Sequence, residues 1–488
     1  MEPARVITEK PLPERTGADR PLIVDLDGTL LETDLLWESI LILFKQNPLI
    51  TFFLPIWLLK GRAFLKRELS RRVSLDVSIL PYNNKLLAYL QSQRAKGRRL
   101  HLATGADETP AKEVADYFKI FESVFASDGI TNLTGRRKRE RLIEAFGEKG
   151  FDYAGNSADD IPVWSTARRA ILVNPSQRLR SRAGHVTEVV HVFEDRKQIS
   201  LNYLKALRVH HWFKNLILFV PLVAAHRAHE LILLKQACIG FLSFCFLASS
   251  VYIMNDFLDL TADRHHPLKR NRPFAAGQVP IPMGLCLIPV LLGLSFMMGT
   301  LLPSTFFGII IVYYVITLTY SLFLKEVVIL DVIILAGLFA TRLMAGSAAV
   351  DIWPSSWLMA FSIFIFLSLA MVKRYKELVI MRALGGETAK ARNYEVSDRE
   401  IIKSMGIASG YVSVLVLALY IASYTAQNLY GRKQAIWFLC PLLLYWISHI
   451  WLTAHRGKMN DDPVVFAMKD PTSLIIFLFM AATVLIAL

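Results

Sequence analysis

Two regimes of apolar patterning divide the chain. Up to about residue 200, apolar residues come in short runs separated by polar and charged stretches, the pattern of an α/β body. From about residue 211 onward they come in stretches of membrane-spanning length. In the first regime, PLIVDLDGTLLETD (21–34), RLHLATG (99–105), DYAGNSADDIPVW (152–164) and RAILVNPS (169–176) predict buried parallel strands. The first three end in polar residues, where open α/β sheets place their chemistry. Residues 35–96, between the first two strands, read as a helical cap. In the second regime nine spans are expected, at about 211–226, 235–254, 283–301, 304–324, 326–346, 354–372, 403–426, 434–453 and 471–488. KQISLNYLKALRVH (197–210) predicts an amphipathic connector at the membrane interface, and residues 1–20 a polar tail. The expected fold class is therefore two-domain, with an N-terminal α/β domain over 21–196 and an all-α membrane bundle over 211–488.

Composition sharpens this picture. A chain of 488 residues exceeds one hydrophobic core. With 53% hydrophobic and 20% charged residues and a mean hydropathy of +0.38, it is neither disordered nor soluble throughout. The net charge of +14 invites a nucleic-acid partner, but its placement points elsewhere. Counting loops with the N-terminus inside, sixteen Lys and Arg fall on one side of the membrane, Lys390 and Arg392 among them. Only Arg227, Arg432 and Lys433 fall on the other. That is the positive-inside bias, so the expectation is a bacterial-type plasma-membrane protein with a cytoplasmic N-terminal domain and the C-terminus outside. No nucleic acid is required. The first twenty residues have no apolar h-region, which agrees with a cytoplasmic start. All four cysteines lie in the apolar half, leaving no disulfide framework or zinc cluster.

The polar residues of the first half form an ordered set: Asp25 and Asp27 after the first strand, Thr104 and Gly105 after the second, Lys138 opening a helix, and Gly155, Asn156, Asp159 and Asp160 after the third. This set resembles the four motifs of the haloacid dehalogenase superfamily of phosphohydrolases, over roughly residues 20–195. The resemblance implies a nucleophile at Asp25, a general acid/base at Asp27, and phosphoryl-oxygen ligands at Thr104 and Lys138. It also implies a Mg²⁺ site formed by Asp25, Asp27 and Asp160. A trigonal anionic phosphoryl group needs such preorganised cations and donors. One departure stands out: Asn156 occupies a position that is acidic in many active members, removing one metal carboxylate. A non-catalytic domain of the same fold is the rival reading. In the cap, PLITFFLPIWLLK (48–60) is too short to span a bilayer and precedes a basic run. That fits either a cap resting on anionic lipid or a self-packed cap.

In the second half, YIMNDFLDLTADRHHPLKRNRPFAAGQVP (252–280) spaces Asp256, Asp259 and Asp263 at i, i+3 and i+7, on one helical face. Carboxylates at a membrane boundary call for cations, and oxygen-rich sites suit Mg²⁺ carrying a diphosphate. Lys269, Arg270 and Arg272 follow to meet the remaining phosphate charge. The string resembles the UbiA-type superfamily of intramembrane transferases. That resemblance implies a nine-span bundle binding Mg²⁺-diphosphate through Asn255, Asp256, Asp259 and Asp263. Prenyl-diphosphate users there carry a second acidic motif after the sixth span. This chain instead reads LAMVKRYKELVIM (369–381), with Lys373 where one aspartate is expected and Arg374, Tyr375, Lys376 and Glu377 after it, a charge reversal that favours binding an anion directly. Lys214 and Asn215 lie at the mouth of the first span. Tyr320, Lys325 and Asp331 occupy a later segment, with Arg342 about three turns beyond Asp331; an Asp and an Arg inside one apolar span suggest a functional cavity or an internal ion pair.

Together these motifs resemble the decaprenyl-phosphate phosphoribosyltransferase branch. The resemblance implies that phosphoribosyl pyrophosphate and a polyprenyl phosphate are joined with Mg²⁺, with Asp256 and Asp259 holding the metal. A tethered 5-phosphatase would then act on the product. The alternatives are a prenyltransferase acting on an aromatic or other acceptor beside a non-catalytic N-terminal module, and, less well matched, a transporter. The sequence leaves the oligomeric state open.

Overall fold

The computed structural model describes residues 20–194, 199–267, 269–383, 388–389, 393–423, 430, 432–459 and 462–487. Most of the expected N-terminal tail, the start of the connector, and Lys390 and Arg392 lie outside the described residues. By internal contacts the chain forms two compact units, Met1–Ala206 with Asp256–Cys286, and Leu207–Asn255 with Leu287–Leu488.

In the first unit, β1 (Leu22–Val24) alternates between two cores. Leu22 and Val24 pack on one face of the sheet and Ile23 on the other, as a period-two strand sealed on both sides must. Each such side chain contributes about 1.5–3 kcal/mol by leaving water. β2 (Leu100–Asp107), β3 (Ser123–Ser127), β4 (Asp152–Gly155), β5 (Arg169–Val173) and β6 (Glu188–Phe193) complete one all-parallel sheet in the order β3-β2-β1-β4-β5-β6. The order reverses at β1. A crevice therefore opens beyond the carboxyl ends of β1, β2 and β4, directly where Asp25 leaves the sheet. At the opposite end Asp152 is buried between Arg98 and Arg168, the latter at 2.7 Å, a purely structural clamp.

The cap is helical as expected: α1 (Leu35–Gln46), a short helix Leu54–Leu59, and α2 (Arg62–Ser70). Asp34 caps α1 by accepting from the Leu36 N–H. α3 (Gly135–Phe146) carries Lys138 in its first turns. The segment 256–286, which the sequence pattern groups with the membrane half, packs with this unit. Arg264 donates two hydrogen bonds to Glu38 of α1, at 2.9 and 2.6 Å, with both side chains buried.

The chain contains seven helices long and apolar enough to cross a membrane, among the described residues. They are α4 (Leu231–Leu258), α5 (Ile281–Gly299), α6 (Ser304–Leu322), α7 (Leu330–Val350), α8 (Ser356–Ala383), and the stretches Val396–Ala422 and Gln434–His455, which contain α9 (Arg399–Ala422) and α10 (Leu439–His455). The first and ninth expected spans are shorter. Val209–Phe219 is a 3₁₀ helix running into Val220–Ala224, with Pro221 at the junction. α11 (Pro471–Ala487) has 17 residues, about 25 Å of helix against a hydrocarbon core of roughly 30 Å.

Small and hydroxyl residues bring these helices together, as in an apolar solvent where hydrophobic burial alone gives no preference for helix over lipid. The Ser368 hydroxyl of α8 donates to the Gly406 carbonyl of α9 at 2.7 Å and accepts from the Trp451 indole of α10 at 3.0 Å. Ser409 closes the same seam by donating to the Phe364 carbonyl. At Gly346 of α7, a Cβ would stand 2.1 Å from the Leu218 carbonyl oxygen, so only glycine permits this approach.

Candidate functional site

In the first unit the crevice is a cavity of about 900 Å³ lined by Asp25, Asp27, Lys138, Asn156, Asp159 and Asp160, with Lys66 entering from the cap. Lys138 Nζ lies 2.8 Å from Asp25 Oδ1, 2.9 Å from the Tyr153 hydroxyl and 3.6 Å from Asp160. Burial raises Asp25 to about 6, against the pull of Lys138. Asp27 stands well above the usual carboxylate range, through burial and then the neighbouring Asp34. Although burial alone would lower Lys138, Asp25 and Asp160 hold its proton on. Burial likewise lowers Lys66, which donates to the Gly105 carbonyl and to Asn132. The site thus sets one buried carboxylate beside a fixed cation, with a second carboxyl group whose burial favours the protonated form.

Two expectations change. Thr104 is buried with its hydroxyl accepting from the Ala106 N–H, and Gly105 lines the cavity in its place. Asp160 is taken up locally. Its Oδ2 accepts from the Asn156 and Ser157 N–H groups and the Ser157 hydroxyl, and its Oδ1 from Tyr153. Asp160 still lines the cavity, 3.6 Å from the Lys138 Nζ that holds Asp25, and Asn156 approaches the same corner through Thr29. The Thr29 hydroxyl lies 3.2 Å from Asn156 Oδ1 and 3.3 Å from Asp25 Oδ2. Gly28, at φ +72°, makes room, since a Cβ there would meet the Asn156 amide at 2.2 Å. Among the described residues no three His, Cys, Asp or Glu side chains are grouped to hold a metal. The oxygens of Asp25 and Asn156 nonetheless converge on one hydroxyl, a donor set that fits a hard cation with one carboxylate fewer than expected.

The acidic motif belongs to the same unit from Asp256 onward. Arg272 Nη1 lies 3.2 Å from Asp256 and 2.5 Å from Asp263. Asp256 and Asp263 thus share one guanidinium; the resemblance names Asn255, Asp256, Asp259 and Asp263 for Mg²⁺-diphosphate, with the metal on Asp256 and Asp259. Burial raises Asp263 despite Arg272. In the second unit, Asn255 Oδ1 at the end of α4 is buried with no hydrogen-bond partner among the described residues. Two carboxylates converging on one guanidinium fit an oxygen-ligated divalent cation. Lys269 is exposed.

In the second unit Lys214 and Lys373 share a carboxylate that the sequence pattern did not single out. Asp462 Oδ2 lies 2.9 Å from Lys214 and 3.7 Å from Lys373. Burial alone would raise Asp462, but the two lysines hold it well below the usual range. The expected Asp331–Arg342 pair is not formed. Asp331 pairs with Arg374 at 2.6 Å and accepts from the Tyr394 hydroxyl at 2.5 Å. Arg342 binds Asn215 and the Tyr313 hydroxyl. Arg374 is buried and also meets Glu377, so it is an internal ion partner, unlike the more accessible Lys373. Tyr375 hydrogen-bonds His455 and is buried, as is Tyr320, while Lys325 is partly exposed. Beside Asp331, Ile329 sits at φ +68° with its N–H donating to Tyr394. That is a strained conformation for a β-branched residue, at a cost of about 1–3 kcal/mol. Spacing alone favoured Arg342 because it lies on the same helix; the true partner comes from α8, a contact no periodicity reveals.

An α/β body joined to a bundle of long apolar helices, with carboxylates and cations at the ends of those helices, defines an integral membrane protein of the intramembrane-transferase class. Residues 216–469 match the UbiA prenyltransferase family, and the chain belongs to that family. Protein y4nM of Sinorhizobium fredii is 34% identical over 471 residues, 96% of this chain and 91% of that protein. Decaprenyl-phosphate phosphoribosyltransferase of Mycolicibacterium smegmatis is 30% identical over 296 residues, 59% of this chain and 92% of that protein. Among solved structures, a UbiA homolog from Archaeoglobus fulgidus bound to GPP and Mg²⁺ covers 58% of this chain and 99% of its own, at 16% identity and a TM-score of 0.44.

Proposed function

We propose that the membrane half transfers 5-phosphoribose from phosphoribosyl pyrophosphate to a polyprenyl phosphate at its cytoplasmic mouth. One observation carries the reading: Lys214 and Lys373 converge on a single anionic position, now held by Asp462. A cationic pair of this kind binds a phosphate directly, where a prenyl-diphosphate site would present carboxylates. Its likeness in sequence to the phosphoribosyltransferase of Mycolicibacterium smegmatis supports the same substrate class. In the reaction the bond from the anomeric carbon to diphosphate breaks with its electron pair leaving on diphosphate. A lipid-phosphate oxygen forms the new bond to that carbon. Asp256 and Asp259 would hold Mg²⁺, which when bound neutralises the leaving diphosphate. Lys214 and Lys373 orient the lipid phosphate.

The N-terminal domain then removes the 5-phosphate. A carboxylate oxygen of Asp25 attacks phosphorus, and the ester oxygen leaves with a proton from Asp27. Water, losing a proton to Asp27, next releases inorganic phosphate and restores Asp25. Asp25, Asp160 and the Asp27 carbonyl would hold a second Mg²⁺, with Asn156 beside them where a further carboxylate is expected. Lys138 holds Asp25 and the phosphoryl charge.

Both steps are read in one experiment. Full-length protein in detergent with Mg²⁺, labelled phosphoribosyl pyrophosphate and a polyprenyl phosphate should move label into the organic phase. Asp256→Asn should reduce transfer at least 100-fold, and Asp25→Asn should leave the 5-phosphate in place. Activity confined to a prenyl diphosphate and an acceptor would overturn the transfer reading in favour of a prenyltransferase. Unchanged 5-phosphate removal by Asp25→Asn would overturn the phosphatase.

A further inference from the structure

The N-terminal cavity is larger than a phosphate subsite needs, and its walls say what else enters. At one end stand Asp25, Asp27 and Lys138; the cap contributes Leu36, Ile40, Leu54 and Leu58 to the lining, and Ile281 from the segment after the acidic motif joins them. A cavity of about 900 Å³ is at the upper end of the range for small-molecule sites. The apolar wall does not stop at the rim. Leu58 is half exposed, and the neighbouring Phe52, Phe53 and Leu59 are 77%, 51% and 88% exposed. A soluble domain leaves no such strip to water without a use for it. Lys60, Arg62, Arg71 and Arg72 flank it, all exposed, a combination that matches an anionic bilayer surface. The chain is itself an integral membrane protein, so lipid is at hand.

We infer that the N-terminal site acts on a phosphate monoester whose alcohol carries an isoprenoid or similar apolar chain, the chain running along Leu54 and Leu58 into lipid while Phe52, Phe53 and Leu59 sit in the bilayer surface. This rests on the phosphatase reading above, which already gives the site a lipid-linked 5-phosphate, and adds to it a subsite for the lipid chain on the cap, which the domain then needs for efficient turnover. The bonds broken and formed are those already given: the phosphorus–ester oxygen bond is cleaved, and the proton passes through Asp27 to the leaving alcohol.

The test uses full-length protein in anionic nanodiscs with Mg²⁺ and two probes, ribose 5-phosphate and the 5-phosphoribosyl monoester of farnesyl phosphate. The expected kcat/KM is at least 100-fold higher for the farnesyl probe. Leu58→Gln with Leu59→Gln should lower that ratio about tenfold, chiefly through KM. A wild-type ratio near one, with both probes hydrolysed, overturns the inference and leaves the phosphatase standing. Phosphate release from neither probe overturns both. A ratio unmoved by the double variant, accompanied by a changed oligomeric state, assigns the strip to a self-interface and also overturns it.

Discussion

Breaking the Glu38–Arg264 pair should destabilise the N-terminal unit more than any surface change. The pair is bidentate at 2.6 and 2.9 Å, with side chains 1% and 5% exposed, and Glu38 also accepts from the Thr33 hydroxyl. Glu38→Gln keeps the shape but presents an amide to a guanidinium that water cannot reach. Leaving one buried charge uncompensated costs about 3–5 kcal/mol. For a unit of this size each kcal/mol moves the midpoint by about 2–4 °C, so the shift should be roughly 6–20 °C downward. Thermal unfolding of the purified full-length protein in detergent, followed by near-UV circular dichroism, reads it. Replacing both partners, as Glu38→Leu with Arg264→Met, removes the charge as well as the bond and should recover most of the loss. A single variant melting within about 2 °C of wild type would refute the reasoning, because a dispensable pair is a solvated one.

Three further outcomes follow from the geometry. Asp462→Asn removes the internal anion from between Lys214 and Lys373 and should tighten farnesyl phosphate binding about tenfold, ~1.4 kcal/mol by calorimetry; weaker binding in a folded variant would mean that Asp462 positions the lysines instead. Asn156→Asp restores a carboxylate next to Asp25 and Gly28 and should lower the Mg²⁺ concentration for half-maximal phosphate release about tenfold. Gly346→Ala drives a methyl into the Leu218 carbonyl and should cost about 1–3 kcal/mol by overpacking, seen as earlier aggregation on heating.

Local pattern carried much of the fold. The runs ending at Asp25, Gly105 and Gly155 became the three central strands because a buried parallel strand is written in consecutive residues. Side-chain pairing was less legible wherever the partner came from a distant segment. Asp331 and Arg342 share a helix and a face, yet Asp331 is satisfied by Arg374. Asp160 lines the cavity as its order along the chain suggests, but the four local donors that fix its carboxylate could not be read from that order. Asp462 could have been noticed as an acidic residue directly before a proline in the loop after α10; its role depends on two lysines 248 and 89 positions away. The shortness of Val209–Ala224 was legible in Pro221 alone.

The return of residues 256–286 to the N-terminal unit sets an order of events during synthesis. Glu38 and Arg264 are 226 positions apart, and a ribosome adding 5–20 residues per second needs roughly 11–45 s to make that stretch. Throughout that interval Glu38 is a buried-type carboxylate without its cation, on a sheet that has all six strands once residue 193 has emerged. Closing a loop of that length costs about 5 kcal/mol of chain entropy. Laying α4 across a bilayer shortens the free path, because both its ends are then held at the membrane. Membrane insertion would thus act as a folding aid for the water-facing half, and a chain whose α4 is made too polar to insert should yield an N-terminal unit that is sensitive to protease although none of its own first 206 residues has changed.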